Sequence, residues 1–208
     1  TYYNDMPYIL KFFKKNNGND STDLIEPVMI AHGGKSLGEH KIEPEVRFNI
    51  LHGEYQYVVL QQVAHPFFGG QTSLLKDALE INEFIKQTRA KPVAYLTWSE
   101  KNKLEDQQVM TDAYLELSKQ MDAVLCPVGI IWQAFIKRYP EIDIYDADGE
   151  HANEIGSYLV ACVFYVTLLN ESPIGLPYRI ENNAQLVLDI PQNIATDIQR
   201  LVWDYVGA

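Results

Sequence analysis

The sequence predicts an α/β domain in which short parallel strands alternate with helices. Four short apolar runs suit buried strands, and they lie at residues 27–31, 57–60, 92–97 and 123–128. Segments with the helical spacing of apolar residues separate them, at 72–88 and 107–121. Because strands that are apolar along their whole length are typical of parallel sheets, we expect helices on both faces of the sheet.

Further helices are predicted at the two ends of the chain. Asp5 can cap a helix that carries Pro7 in its first turn and ends at Asn17-Gly18. After the fourth strand, helices are expected at 129–139, 152–169 and 194–206. The most apolar run, 158–169, falls short of the roughly 20 residues that cross a bilayer, so no membrane association is expected.

Composition limits the classes of partner. The chain has 208 residues, which suits a single domain over 1–208, and a formal net charge of −11. Because no cluster of Lys and Arg is present, a nucleic-acid partner is not expected. The five histidines lack the paired spacing of zinc ligands, so neither a metal site nor a cofactor is predicted. Cys126 and Cys162 lie in apolar segments and are expected to be buried, although a disulfide stays open.

The pair Asp148 and His151 is the sharpest candidate for chemistry. A carboxylate three residues before a histidine can bond the imidazole Nδ1–H and stabilise the imidazolium that forms when Nε2 takes a proton. The alternative is structural: Asp148 would be the N-cap of a helix, with Glu150 and His151 in its first turn. The spacing alone leaves both interpretations open.

Several blocks of the sequence resemble one protein family. The run from Asp148 to Tyr165, D-x-x-H-x-x-x-x-G-x-Y-L-x-A-x-x-x-Y, resembles the last conserved block of the SGNH/GDSL hydrolases, and more narrowly that of a bacterial subgroup of unknown function. Other segments resemble that subgroup in the same order: Thr1-Tyr2-Tyr3-Asn4-Asp5, Gly33-Gly34-Lys35-Ser36-Leu37 with His40, Val58-Val59-Leu60-Gln61-Gln62, Thr97-Trp98, Asp112-Ala113-Tyr114, and Pro127-Val128-Gly129 with Trp132.

The resemblance implies a three-layer α/β/α, flavodoxin-like fold and a catalytic triad. Asp148 and His151 would be its acid and base, the amide of Gly34 an oxyanion donor, and the Gln61 side chain a second donor. Structural alternatives are a tight turn at Gly34 and a polar strand end at Gln61. Gln62 departs from the subgroup's usual Glu, which leaves the register of this block open. Trp98 and Trp132 could line an acyl or sugar pocket or pack in the core.

The nucleophile of the family has no counterpart in the chain. The resemblance places that Ser two residues before Thr1, at the end of a first central strand, so the domain is expected to be incomplete at its N-terminus. The implied activity is that of a serine esterase or acetylesterase acting on a small acyl ester, which includes acylated carbohydrates. The alternative is a non-catalytic module that binds a ligand or carbohydrate on the same fold. A G-[D/N]-S sequence upstream would favour the enzyme.

Overall fold

A computed structural model describes residues 3–17, 25–64, 70–182 and 185–207. The chain forms two compact units, one that runs from Met29 to Ile130 and one that combines the residues up to Val28 with those from Ile131 onwards. We refer to them as the central unit and the terminal unit. The single domain expected over 1–208 stays a prediction.

The described elements are, in chain order, a 3₁₀ turn (Tyr3–Asp5), α1 (Met6–Asn16), α2 (Leu37–His40), α3 (Pro44–His52), β1 (Tyr57–Leu60), α4 (Gly70–Ile85), β2 (Lys91–Tyr95), α5 (Asp106–Met121), β3 (Val124–Cys126), α6 (Val128–Arg138), α7 (Glu154–Leu169), β4 (Arg179–Asn182), β5 (Gln185–Asp189) and α8 (Gln192–Val206). Three of the four predicted strands and the long predicted helices are confirmed, with ends that differ by a few residues.

The central unit is built on a parallel sheet with the strand order β1-β2-β3. Val59 is paired with Val93, and Tyr95 with Cys126. Parallel strands require a crossover connection, and α4 joins β1 to β2 while α5 joins β2 to β3. The two helices pack against each other. Their apolar faces bury Leu74, Ile81, Tyr114 and Leu117 together with the end of β1. The carboxyl ends of all three strands therefore lie at one edge of this sheet.

The terminal unit is organised around α7, which packs against α1 and α8. Residues 156–166 of α7 are all buried, as a helix that is apolar on every side requires. Phe13 of α1 meets the rings of Tyr158 and Tyr165 edge to face, at centroid distances of 5.3 Å and 6.2 Å. Strands β4 and β5 form an antiparallel pair between α7 and α8 in the sequence.

The strand predicted at 27–31 is wrong. Residues 25–30 have no regular structure, and Val28 and Met29 are 61% and 56% exposed. A strand needs a neighbour for its N–H and C=O groups, and within the described ranges no strand is paired with this segment. The sequence reading also missed α2, α3 and the β4-β5 pair, because these segments are short and lack a clear apolar period.

The start of α1 agrees with the prediction only in part. Asp5 does occupy the N-cap position of α1, but its side chain makes no capping hydrogen bond, because its backbone is left-handed. Gly18, expected to end this helix, lies outside the described residues. Cys126 and Cys162 are buried and are not joined in a disulfide. None of the helices in the described ranges is long and apolar enough to cross a membrane.

Candidate active site

Asp148 and His151 contact each other directly. The His151 Nδ1–H donates to Oδ2 of Asp148 at 2.6 Å. The other carboxylate oxygen, Oδ1, accepts the backbone N–H groups of Glu150 and His151, each at 2.9 Å. Since the carboxylate fixes the proton on Nδ1, the neutral imidazole carries its lone pair on Nε2. The side chains of His151 and Asp148 are 36% and 43% exposed.

This pair lies on a loop that is closed at its base. Tyr145 and Ala152 form an antiparallel bridge, and the Asp146 N–H donates to the His151 carbonyl at 2.8 Å. Helix α7 begins only after the loop, where Asn153 is the N-cap and its side chain accepts the Gly156 N–H. The structural alternative for Asp148, the N-cap of this helix, is therefore wrong.

The glycine of the D-x-x-H block has a steric explanation. A Cβ on Gly156 would lie 2.3 Å from the carbonyl oxygen of Ile144 and 2.6 Å from the Trp132 ring, much closer than real contacts. The first turn of α7 thus packs directly on the strand-like segment that enters the loop. This close approach explains why residue 156 is a glycine.

The Asp148 carboxylate is strongly stabilised in its charged form. Two backbone N–H groups, from His151 and Glu150, and the imidazole of His151 lower the pKa of Asp148 from 3.8 to about 2. At neutral pH the group is therefore an acceptor only, which is the state needed to orient the imidazole and to stabilise its positive charge.

Asn4 holds the N-terminal segment beside this loop. Its side-chain amide donates to the Ala152 carbonyl at 3.2 Å and to the Ser157 hydroxyl at 3.0 Å. Asn4 and Asp5 both have left-handed backbones, with φ of 53° and 52°. Asn4 is thus anchored next to His151. Thr1 and Tyr2 lie outside the described residues.

Gly34 lies in a tight turn of the central unit. The Lys35 N–H donates to the His32 carbonyl at 3.1 Å, and Gly34 has a φ of 75°, which glycine adopts without strain. A Cβ at this position would meet nothing within 4 Å, so the backbone angle alone favours glycine. The tight turn expected as the structural alternative is therefore present, and Gly34 is exposed.

Gln61 and Gln62 follow β1 and have different surroundings. The Gln62 side chain is fully buried, and its oxygen accepts the N–H groups of Leu37 at 2.9 Å and of Val63 at 3.1 Å. Gln62 therefore joins the start of α2 to the end of β1. Gln61 is partly exposed, with its amide 3.4 Å from the Gln62 carbonyl. Of the two side chains, that of Gln61 is the more accessible to solvent.

The structure thus brings together Asp148 with His151 in the terminal unit, and the Gly34 segment with the Gln61 strand end in the central unit. The roles assigned to these four residues stay predictions. Trp98 and Trp132 are both buried, at 2% and 0% exposure, as core packing requires.

One cluster of the central unit was missed in the sequence. The ligand atoms of His32, His40 and Glu43 all lie within 4.8 Å of one another. The ammonium of Lys35 and the imidazole of His40 lower the pKa of Glu43 to about 2, so this carboxylate is charged at neutral pH. The spacing H-x7-H-x2-E follows no common zinc pattern, and only the turn at Gly34 brings His32 back towards His40.

The fold is similar to that of two solved structures. One is a proposed SGNH hydrolase from Slackia heliotrinireducens, with a TM-score of 0.66 and 23% identity over 80% of this chain and 92% of that one. The other is a DUF4886 family protein from Bacteroides uniformis, with a TM-score of 0.59 and 19% identity over 78% of this chain and 68% of that one. The chain therefore shares the fold of these two structures. The three-layer α/β/α class that the sequence resemblance implied is therefore confirmed. No protein-family model matches the chain, and no curated protein is similar to it in sequence.

Proposed function

We propose that this protein is a serine hydrolase of the SGNH type that cleaves small acyl esters. The observation that carries the proposal is the 2.6 Å bond from His151 Nδ1 to an ionised Asp148, on a loop that the Tyr145–Ala152 bridge closes at its base. A histidine held in this way has its basic nitrogen, Nε2, directed away from the carboxylate. The fold similarity to a proposed SGNH hydrolase supports the same reaction class.

The expected nucleophile is a Ser two residues before Thr1, as the family resemblance implies. Asn4 lies five residues after that position and is bonded to the Ala152 carbonyl, next to His151. Five extended residues span at most about 18 Å, so a Ser there is within reach of the imidazole.

The reaction would proceed in two steps. The Ser hydroxyl attacks the ester carbonyl while Nε2 of His151 takes its proton, and the imidazolium then protonates the leaving alcohol. Water attacks the acyl-serine with the same histidine as base, which releases the acid and restores the Ser. The family resemblance assigns the role of oxyanion donor in both steps to the Gly34 N–H and the Gln61 amide. We propose acetylated carbohydrates or other short acyl esters as the substrate class.

The test uses the full-length protein and p-nitrophenyl acetate. We expect hydrolysis, and we expect His151→Ala to reduce its rate by about 10²–10⁴-fold, because the general base is lost. His52→Ala is the matched control, since His52 is an exposed histidine at the end of α3 and should leave the rate unchanged. Equal rates for all three proteins would show that the assigned base is wrong.

The binding-module alternative is tested on the same protein. A fluorophosphonate probe forms a covalent bond only with an activated Ser, so the enzyme should be labelled upstream of Thr1 and the His151→Ala variant should not. A full-length protein that has no Ser in a G-[D/N]-S sequence there, and that takes up no probe, would instead be a ligand-binding protein on the SGNH fold.

A further inference from the structure

Three potential metal ligands converge beside the Gly34 turn, and the proposed hydrolysis uses none of them. The His40 Nδ1 and Glu43 Oε2 atoms are 2.7 Å apart, and His32 Nε2 lies 3.9 Å from Glu43 Oε1. The rings of His32 and His40 are stacked, with centroids 5.5 Å apart and planes inclined by 19°. One carboxylate thus faces two imidazoles, each through a different oxygen.

The local backbone holds these residues in place. His32 begins the turn that the Lys35 N–H closes. Ser36 and Glu39 then form a reciprocal capping box at the start of α2, which fixes the helix that ends at His40. The Glu43 N–H donates to the His40 carbonyl at 3.0 Å, immediately before α3 begins. The cluster is therefore carried by a turn and two helix ends that are each stabilised independently of any ligand.

We propose that His32, His40 and Glu43 form a binding site for a divalent transition-metal ion such as zinc. Two imidazole nitrogens and one carboxylate oxygen are a ligand set that zinc binds in proteins, with bonds of about 2.0–2.2 Å and one position left for water or a ligand. Ligand separations within 4.8 Å become compatible with such bonds after small side-chain rotations. The side chains of His40 and Glu43 are 12% exposed, whereas that of His32 is 51% exposed, so an ion could enter past His32.

Lys35 gives the proposal a distinctive consequence. Its ammonium contacts Oε1 of Glu43, and its side chain is 40% exposed. A metal ion and this ammonium would compete for the same carboxylate, since both carry positive charge. Zinc binding therefore requires Lys35 to turn towards solvent. Replacing Lys35 by an uncharged residue should therefore strengthen zinc binding. If the cluster were held only by hydrogen bonds and ion pairs and bound no metal, the same substitution would create no affinity for zinc.

The experiment is a calorimetric titration of the full-length protein with zinc, after treatment with a chelator. We expect one ion per chain with a Kd of about 10 µM or tighter. Loss of even an outer-shell partner costs about 10–100-fold in metal affinity, so His32→Ala and His40→Ala should each weaken binding at least tenfold. His52→Ala should bind as the unmodified protein does, and Lys35→Met should bind more tightly.

Cobalt provides a second measurement, because four-coordinate Co²⁺ has visible absorption bands that His32→Ala should weaken. His32 is the more exposed of the two histidines, so this variant should fold even if His40→Ala does not. Three results would each overturn the proposal. They are no saturable zinc binding at one ion per chain, a loss of zinc affinity in His52→Ala as large as that in His32→Ala, and weaker zinc binding in Lys35→Met. Because the readout is metal binding, it does not depend on whether the protein hydrolyses esters.

Discussion

The substitution Asp148→Asn separates a catalytic role of the Asp–His pair from a structural one. An Asn oxygen can still accept the two backbone N–H groups that Asp148 Oδ1 binds at 2.9 Å. Its NH₂ group then faces Nδ1 of His151 and must donate to it. The imidazole proton consequently moves to Nε2, which is the atom that has to accept the proton of the nucleophile.

The expected magnitudes differ sharply between activity and stability. Loss of the correct tautomer lowers the rate by about 10⁴-fold in serine hydrolases, which equals a barrier increase of about 5.4 kcal/mol. The stability change should be small, because the His151 and Asp148 side chains are 36% and 43% exposed and solvent screens their interaction. For such a pair we expect the free energy of unfolding to change by less than about 1 kcal/mol.

The assay compares initial rates of p-nitrophenyl acetate hydrolysis by the full-length protein and two variants. Asp146→Asn is the matched control, since Asp146 lies on the same loop and its side chain accepts the Ala147 N–H at 2.7 Å. Urea unfolding of all three proteins measures stability. A rate for Asp148→Asn within about tenfold of the control would refute the reasoning, because the tautomer argument requires a far larger loss.

Three further predictions concern the rest of the candidate site. Gly34→Ala should destabilise the protein by about 1–2 kcal/mol in urea unfolding, because Gly34 has a φ of 75°. Gly33 has room for a Cβ and no positive φ, so Gly33→Ala should change stability by less than about 0.5 kcal/mol. Gln62→Leu should lower the free energy of unfolding by about 2–4 kcal/mol, since the backbone N–H groups of Leu37 and Val63 lose their acceptor. Gln61→Ala should instead lower the hydrolysis rate by about 10²–10³-fold, and the reverse pattern would exchange the roles of the two residues. The carboxyl carbon of Asp148 should titrate near pH 2 by NMR. Because the pKa of Asp148 in the folded protein lies below the ordinary 3.8, the contribution of this group to stability is present above about pH 4 and is lost as the pH falls through 2. A titration midpoint near 3.8 would contradict the hydrogen bonds assigned to Asp148.

The accuracy of the sequence predictions follows the length and periodicity of each element. The long helices α4, α5 and α8 were predicted because their apolar residues repeat with the helical period over several turns, and α7 was predicted from its long apolar run. The run at 27–31 was as apolar as the true strands, yet strand formation also depends on a neighbour that supplies hydrogen bonds, which no local pattern reports. Helix α2 has only four residues and depends on its capping box, so periodicity could not indicate it.

For the candidate site, the sequence by itself determined the pairing of Asp148 with His151, because three residues of separation bring the two side chains within reach in a loop. The tertiary structure decided that Asn153, not Asp148, caps α7. It also decided that the Gln62 side chain is buried and links the start of α2 to the end of β1, while Gln61 stays partly exposed. The cluster of His32, His40 and Glu43 likewise depends on the tertiary structure, because a turn and two helix ends bring these three side chains close together. Local spacing fixes contacts within a few residues, whereas burial and convergence depend on how the segments pack.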